Sequence, residues 1–344
     1  MSSDDRHSRH RLFTPIGEQG QESLEMARIA VVGCGALGSR IAELLARAGV
    51  GRRENGLLRI IDRDYVDLSN LQRQALFDEE DAKRSRPKAP AAKRHIARID
   101  STLHCEAVVR DLNPSNALSL LEGVDLIMDG TDNFRTRFLI NDAAIRLDIP
   151  WIYGAAVGSR GMTATIVPGT TPCLRCFMEF LPPLGSNESC DVAGIITPLP
   201  SVVAGLQVAG ALKWIVAREI DRGVAAFDVW KGGTSGERRF AGTTPVKGCL
   251  SCDLRELPSL DPDSEELVTL CGRNSVQISR SVVADLEGVA KRLATRFDLQ
   301  THDESVTIAT PEGKLTLFDD GRVIVEGTTD VLEAKTLLSR YLGD

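Results

Sequence analysis

Among the residues that could do chemistry, two cysteine pairs share one spacing: Cys173-x-x-Cys176 and Cys249-x-x-Cys252. Each pair places two thiolates on a tight knuckle. Two such knuckles brought together form a closed tetrahedral zinc site with no open position, which stabilises and does not catalyse. The competing reading is four reduced core cysteines at chance spacing. A redox pair fits less well, because neither CxxC opens a helix after a thioredoxin-like strand. A third element is Gly33-x-Gly35-x-x-Gly38, which follows the apolar run Ile29–Val32 and precedes a helical pattern. Glycines there let the chain turn sharply and approach a phosphate, which then faces the free N–H groups of the next helix. The motif alone is weak, since NAD, FAD and ATP enzymes share it.

Its company is more telling. Asp62 ends a second apolar run, about 20 residues past the turn, where a dinucleotide-type fold accepts ribose hydroxyls. The lysine motif GxxxxGK[ST] is absent, so a bound triphosphate needs other cations. Arg73 and Lys88 are candidates on either side of a polar stretch, although surface Arg and Lys are usually just solvated. Asp132, in the run Asp129-Gly130-Thr131-Asp132-Asn133, offers a hard oxygen ligand for Mg²⁺. Its alternative role is to cap the helix at Phe134, which Asn133 could do equally well. Cys190 lies in a polar loop between Ser189 and Asp191. It reads either as a nucleophile or as an unused exposed thiol, and Asp191 and Glu188 would raise its pKa. Cys34, Cys105 and Cys271 sit in apolar or strand contexts and read as core.

These residues need a scaffold. Ala36–Ala48 carries a helical stripe of apolar positions, and Gly49 and Gly51 stop it. Leu57–Ile61, Val124–Met128 and Trp151–Val157 read as buried strands, and Leu103–Val109 alternates weakly. Helices are expected over Glu18–Met26, Ala89–Ile99, Pro114–Leu121 and Phe134–Leu147. This β-α-β alternation predicts a doubly wound, mostly parallel sheet of Rossmann type. Ligands on such sheets sit at the C-terminal strand ends, where the glycine turn, Asp62 and Asp132 should converge. Met162–Val167 alternates as an antiparallel edge would. Pro198–Ala217 is a long apolar helix, expected to serve both core and subunit interface. Ala225–Trp230 and Arg238–Ala241 are expected strands.

The 344 residues are too many for one small domain. We expect an arm and helix over residues 1–27, a catalytic domain with the zinc site over 28–255, a Pro- and acid-rich linker over 256–267, and a small α+β unit over 268–344. In that unit Asp285–Phe297 is amphipathic, Val306–Ala309, Lys314–Phe318 and Arg322–Glu326 are short strands, and Asp330–Leu342 is a helix. The formal charge of −7 argues against nucleic-acid binding. No signal peptide or membrane-spanning apolar stretch is evident, so a cytoplasmic protein without a membrane partner is expected. Eight cysteines in such a setting favour metal or thiol chemistry over disulfides.

Taken together, GCGALG at 33–38, DRDYVDLSNLQRQ at 62–74, PK at 87–88, DGTDNFRTR at 129–137, the two CxxC pairs and the Cys190 loop resemble the ThiF/MoeB/HesA family, relatives of the ubiquitin-activating enzymes. The likeness spans roughly residues 6–252, in the family's order. The stretches at 270–278 and 318–328 look like the C-terminal extension of some members. The resemblance implies an enzyme that uses MgATP to adenylate the C-terminal Gly-Gly carboxylate of a small ubiquitin-like sulfur carrier, of thiamine or molybdopterin type. It implies that Gly33, Gly35, Ala36, Gly38, Ser69, Asn70, Arg73 and Asn133 surround the nucleotide. Asp62 would then hold the ribose, Lys88 would neutralise phosphate charge and Asp132 would bind Mg²⁺. Arg9 matches an arginine that one subunit of a homodimer inserts into the other's site. The setting here is Arg6-His7-Ser8-Arg9-His10, where the family has an aromatic-polar-Arg-Gln pattern. Cys190 matches a cysteine that links covalently to the carrier in some members. Sulfur would come from another protein, such as a sulfurtransferase.

Two alternatives remain. A nicotinamide-dependent oxidoreductase shares Gly33–Gly38 and Asp62, but leaves Arg73, Lys88, Asp132 and the split cysteine pairs unexplained. A family sibling that adenylates a non-protein substrate would share all of the nucleotide residues.

Overall fold

The computed structural model describes residues 5–180, 194–232, 244–261, 268–270, 275–278, 285–294, 296–302, 305–319, 321–328 and 330–342. The chain divides into two compact units. One comprises Met1–Ala82 with Lys88–Asp263, the other Lys83–Pro87 with Ser264–Asp344.

The first unit is built on a seven-stranded sheet of order β3-β2-β1-β4-β5-β6-β7. Its strands are β1 (Arg28–Val32), β2 (Leu57–Ile61), β3 (Cys105–Val108), β4 (Leu126–Asp129), β5 (Trp151–Val157), β6 (Arg160–Ile166) and β7 (Ala225–Asp228). The first five strands pair in parallel and β6 and β7 antiparallel, with β1 in register against β2 from Arg28↔Leu57 to Val32↔Ile61. Buried apolar runs suit this arrangement, because helices cover both faces and leave neither open to water. One face packs α2 (Gly17–Met26), α3 (Ala36–Ala48), α5 (Lys88–Ile99) and α8 (Pro198–Ala217) around Ile29, Val31, Ile41, Leu45, Ile60 and Val203. The other packs α6 (Ala117–Leu121) and α7 (Phe134–Leu147) around Val32, Ile127, Ile140, Trp151 and Tyr153.

Several expectations change. The N-terminal residues form a short helix, α1 (Ser8–Leu12), and α4 (Glu79–Lys83) precedes α5. The helix expected from Pro114 begins only at Ala117, because Asn113 and Asn116 turn the chain with their side chains first. β6 is antiparallel as expected but internal, since β7 pairs along its other side. Helix α8 is long and apolar enough to cross a membrane by length and composition, contrary to the expectation that no stretch is. It packs against α3, β5 and β6, and its fully buried Gln207 donates to the Asp129 and Ile152 carbonyls, as a core helix does. Arg238–Ala241 lies outside the described residues.

The second unit holds a six-stranded antiparallel sheet of order β10-β11-β12-β13-β9-β8. Its strands are β8 (Val268–Leu270), β9 (Ser275–Ile278), β10 (Leu299–His302), β11 (Ser305–Thr310), β12 (Gly313–Phe318) and β13 (Val323–Glu326). The sequence marks only the last three, which Pro-Glu-Gly and Asp-Asp-Gly turns join. Helices α9 (Leu286–Leu293) and α10 (Val331–Leu342) join Val276, Ile308, Leu317 and Val325 in one core.

Candidate active site

The C-terminal ends of β1, β2 and β4 lie side by side, and the chain leaves each through a polar or glycine-rich turn. After β1, Gly33 takes φ +81°, a conformation suited to glycine. A Cβ on Gly38 would lie 1.8 Å from the Gly33 carbonyl oxygen, and one on Gly130 would lie 2.4 Å from that same oxygen. The turn after β1 and the turn after β4 thus pack backbone to backbone through three glycines. Gly35 differs: a Cβ there would meet nothing closer than Gln74 Nε2 at 3.9 Å, so its face is open. Ala36 follows as the first residue of α3, whose first-turn N–H groups lack intrahelical acceptors. Ser39 pins the turn by donating to the Gly35 carbonyl at 2.6 Å and accepting from the Ala75 N–H at 2.9 Å.

Asp62 braces this turn from the neighbouring strand. Its Oδ2 accepts from the Cys34 N–H at 2.5 Å and its Oδ1 from the Asp64 N–H at 2.7 Å. Burial raises its pKa against the opposing pull of Lys88. Lys88 opens α5 almost wholly buried, with 3% of its side chain exposed, and its Nζ donates to Asp64 Oδ2 at 3.1 Å. Asp64 is a residue the sequence reasoning passed over, yet it aims the lysine. Its carbonyl also accepts from the Lys88 N–H at 2.8 Å.

The polar stretch between them folds into a single 3₁₀ turn, Leu68–Asn70, closed by a capping box. The Ser69 hydroxyl donates to Asp67 Oδ1 at 2.6 Å, and Asn70 Oδ1 accepts from the Asp67 N–H at 3.2 Å. Both side chains therefore have a local task that holds Arg73, whose Nη1 reaches the Ser69 carbonyl at 3.0 Å.

At the end of β4 the buried Asp129 carboxylate accepts from the Thr131 N–H and hydroxyl at 2.9 and 2.6 Å and from Arg137 Nε at 3.1 Å. Arg137 Nη2 also donates to the Thr131 and Gly154 carbonyls at 2.8 and 3.0 Å. Burial raises the Asp129 pKa, and Arg137 opposes it. The network fixes the turn so that Asp132 stands exposed and Asn133 caps α7 through the Thr136 N–H at 2.9 Å. Asn133 thus does the capping, and Asp132 is left for other work.

The N-terminal basic cluster is sorted by its partners. Arg6 pairs with Asp100 at 2.6 Å, His10 Nδ1 lies 3.1 Å from Gln21 Oε1, and Arg11 pairs with Asp5 and Glu25 at 3.0 and 3.3 Å. His7 is buried against Glu25 and Arg52, and burial, then Arg52, lowers its pKa. Arg9 is exposed on α1 and makes no ion pair among the described residues.

The four paired cysteines converge although the pairs lie far apart in sequence. Their sulfurs all lie within 4.8 Å of one another, with Sγ–Sγ separations of 3.8, 3.6 and 3.4 Å. Tetrahedral zinc at a Zn–S distance near 2.3 Å needs about 3.8 Å between sulfurs, so the knuckles fit a zinc ion. Among themselves the thiols divide unevenly. The Cys173–Cys176 hydrogen bond pulls Cys176 down to about 5 and pushes Cys173 up, while burial pushes Cys252 up to about 12. Behind the knuckles, the Asp142 carboxylate accepts from Ser251 Oγ at 2.6 Å, Arg175 Nη2 at 3.1 Å and the Ser259 N–H at 2.9 Å. That network ties both knuckles to α7. A second group, Asp78, Asp81 and His95, is a clamp between α4 and α5, since Arg94 already pairs with Asp81.

Cys34 is fully buried and Cys105 half-buried, while Cys190 and Cys271 lie outside the described residues. Gly194, which follows Cys190 closely, is fixed beside the β5–β6 turn: its carbonyl accepts from the Gly158 N–H at 2.9 Å.

Comparison with known proteins follows the same lines. The profile of the ThiF family matches residues 7–251. A Bacillus subtilis protein named sulfur carrier protein ThiS adenylyltransferase is 41% identical over 342 residues, 98% of this chain and 99% of its own. A Thermus thermophilus sulfur carrier protein adenylyltransferase is 38% identical over 214 residues, 61% of this chain and 76% of its own. Among solved structures, E. coli MccB aligns with a TM-score of 0.61 at 21% identity over 73% of this chain and 75% of its own, a likeness of fold.

Proposed function

The chain belongs to the ThiF family, and from that premise we propose that it adenylates the C-terminal Gly-Gly carboxylate of a ubiquitin-like sulfur carrier, for thiamine or molybdopterin biosynthesis. One observation carries the reading. The glycine turn, Asp62, Lys88 and Asp132 stand at the C-terminal ends of the parallel strands, in a chain 41% identical over 98% of its length to a sulfur-carrier adenylyltransferase.

The reaction joins two anions. A carboxylate oxygen of the carrier attacks the α-phosphorus of ATP, the bond to the bridging oxygen breaks, and pyrophosphate leaves. The nucleophile is already ionised at neutral pH, so no general base is required. Repulsion between the reactants is the obstacle, and fixed positive charge lowers it. Lys88, aimed by Asp64, supplies one such charge in a nearly dry setting. Arg73, Ala36 and the other first-turn N–H groups of α3 supply more. Asp62 accepts from the ribose with the lone pairs that its backbone contacts leave. Ser69, Asn70 and Asn133 hold the turns that border the nucleotide.

Asp132 would hold Mg²⁺, which would supply positive charge against the triphosphate. Cys173, Cys176, Cys249 and Cys252 would hold a structural zinc ion. Arg9, which makes no ion pair among the described residues, would complete the site of a second copy in a homodimer. Cys190 would link covalently to the carrier, as the matching cysteine does in some members, and sulfur would come from a separate sulfurtransferase.

The test is ATP–pyrophosphate exchange. Purified protein should exchange labelled pyrophosphate into ATP only when a Gly-Gly-ending carrier is present, and a carrier lacking its last glycine should abolish exchange. Exchange supported equally by a small carboxylic acid, with no response to the carrier, would overturn the reading.

A further inference from the structure

We propose that the second unit sets the position of Lys88, with His302 as the positioning residue through which it does so. This rests on the reading that Lys88 neutralises the phosphates of ATP. The segment Lys83–Pro87, far in sequence from Ser264–Asp344, packs as part of the second unit. Its last residue is bonded directly to Lys88, which opens α5. Within the unit, His302 Nε2 lies 2.9 Å from the Arg84 carbonyl. A carbonyl only accepts, so Nε2 carries the proton and donates it. His302 is the last residue of β10, and its pairing with Ser305 of β11 fixes its backbone.

The segment is stiff enough to carry a displacement. Ser85, next after Arg84, is buried and left-handed, with φ +45°. A residue with a β-carbon keeps that conformation only where its surroundings hold it. Pro87 is buried as well, and its ring fixes φ there and restricts Arg86 before it. Ser85, Arg86 and Pro87 are all that separate Arg84 from Lys88. A shift at the Arg84 carbonyl is therefore passed to the Lys88 backbone, where a soft loop would absorb it. Lys88 is placed to respond. Its side chain is almost wholly buried, and its N–H and Nζ both bond to Asp64, at 2.8 and 3.1 Å. A small movement of the backbone takes Nζ off Asp64 and off the phosphate it would meet, and misplacement of that order slows reactions that depend on positioning. The second unit is thus part of the scaffold of the phosphate site.

The experiment is carrier-dependent pyrophosphate exchange by the full chain, with circular dichroism to confirm the fold. His302→Ala should lower kcat about tenfold. His302→Gln, whose amide keeps an N–H donor, should return kcat to within about twofold of the parent. Lys88→Ala should slow exchange about a hundredfold. Adding His302→Ala to it should slow exchange no further, because the route from His302 to the phosphate runs through Lys88. Losses that multiply in the double variant would overturn the proposal, as would an unchanged kcat in His302→Ala or an equal loss in His302→Ala and His302→Gln. If His302→Ala fails to fold, Ser85→Gly serves instead. Glycine takes the left-handed turn without strain, so the melting temperature should hold while the loosened segment lowers kcat severalfold. An unchanged kcat there overturns the proposal. Absence of exchange in the unmodified enzyme refutes the ATP reading itself, and full activity in Lys88→Ala refutes the role given to that lysine, whereas exchange insensitive to His302 refutes only the coupling.

Discussion

Arg137 lies against the buried carboxylate of Asp129, Nε to Oδ2 at 3.1 Å, and from there bonds the carbonyls on both sides of the site's rim. Its guanidinium also sits 5.4 Å from the ring centres of Phe134 and Tyr153. The end of β4, the start of α7 and the middle of β5 are therefore held by one side chain. Such a pair stabilises little relative to an apolar substitute, but breaking it strands a buried charge. Arg137→Met should cost about 3–5 kcal/mol in urea unfolding. Arg137→Met combined with Asp129→Leu should cost less than the single change, because the stranded charge is gone. Equal or greater loss in the double variant would refute this account of the rim.

The two kinds of glycine in the turn predict opposite outcomes. Gly38→Ala places a methyl 1.8 Å from a backbone oxygen, so folding suffers and ATP binding goes with it. Gly35→Ala meets nothing within 3.8 Å, so its thermal midpoint should match the parent. Its KM for ATP should still rise about tenfold, because the methyl stands where the phosphates approach. Normal affinity in Gly35→Ala would place the phosphates elsewhere.

Arg9 and its neighbours should separate in the same way. Arg11→Ala removes a partner of buried Glu25, so it should lower the melting temperature. Arg9→Ala should leave melting unchanged and reduce exchange about a hundredfold. Mixing inactive Arg9→Ala and Asp132→Ala chains should recover activity, because mixed dimers contain one site with both residues intact. No recovery after verified subunit exchange would show that Arg9 works within its own chain, or not at all.

Metal content tests the knuckles. The purified protein should carry one zinc per chain by elemental analysis. Cys176→Ser should lose it and melt roughly 10 °C lower, a few kcal/mol in a domain of this size. Exchange measured well below that midpoint should persist, since the site braces the fold and holds no reacting group. A metal-free protein of unaltered stability would remove the zinc.

His7 gives a pH signature. Burial and then Arg52 hold its folded-state pKa below 6.5. The folded chain thus binds a proton less readily than the unfolded chain. Stability from this group is complete above about pH 6.5 and is lost as pH falls toward the folded value. The difference in melting temperature between the parent and His7→Gln should therefore shrink on acidification from pH 7 to pH 5. A constant difference would mean that His7 does not titrate in that window.

The sequence by itself settled what depends on neighbours along the chain. Ala36–Ala48, Leu57–Ile61, Phe134–Leu147, Trp151–Val157 and Pro198–Ala217 begin and end where their apolar period and their flanking glycines, prolines and polar caps place them. The glycine turn, the cysteine knuckles and the family motifs are local in the same sense, because a turn or a knuckle needs only a few consecutive residues. Tertiary structure decided the pairing of charges. It set Asp62 against the Cys34 N–H, Asp64 under Lys88, Arg137 against Asp129 and Arg63 against Asp111. It also left Arg9, among the described residues, without the ion pairs that Arg6 and Arg11 make, and brought together cysteines from two distant stretches. The physical reason is range: hydrophobic period and turn chemistry act over a few bonds of chain, whereas the partner of a charge is whichever group packing delivers within about 3 Å of it.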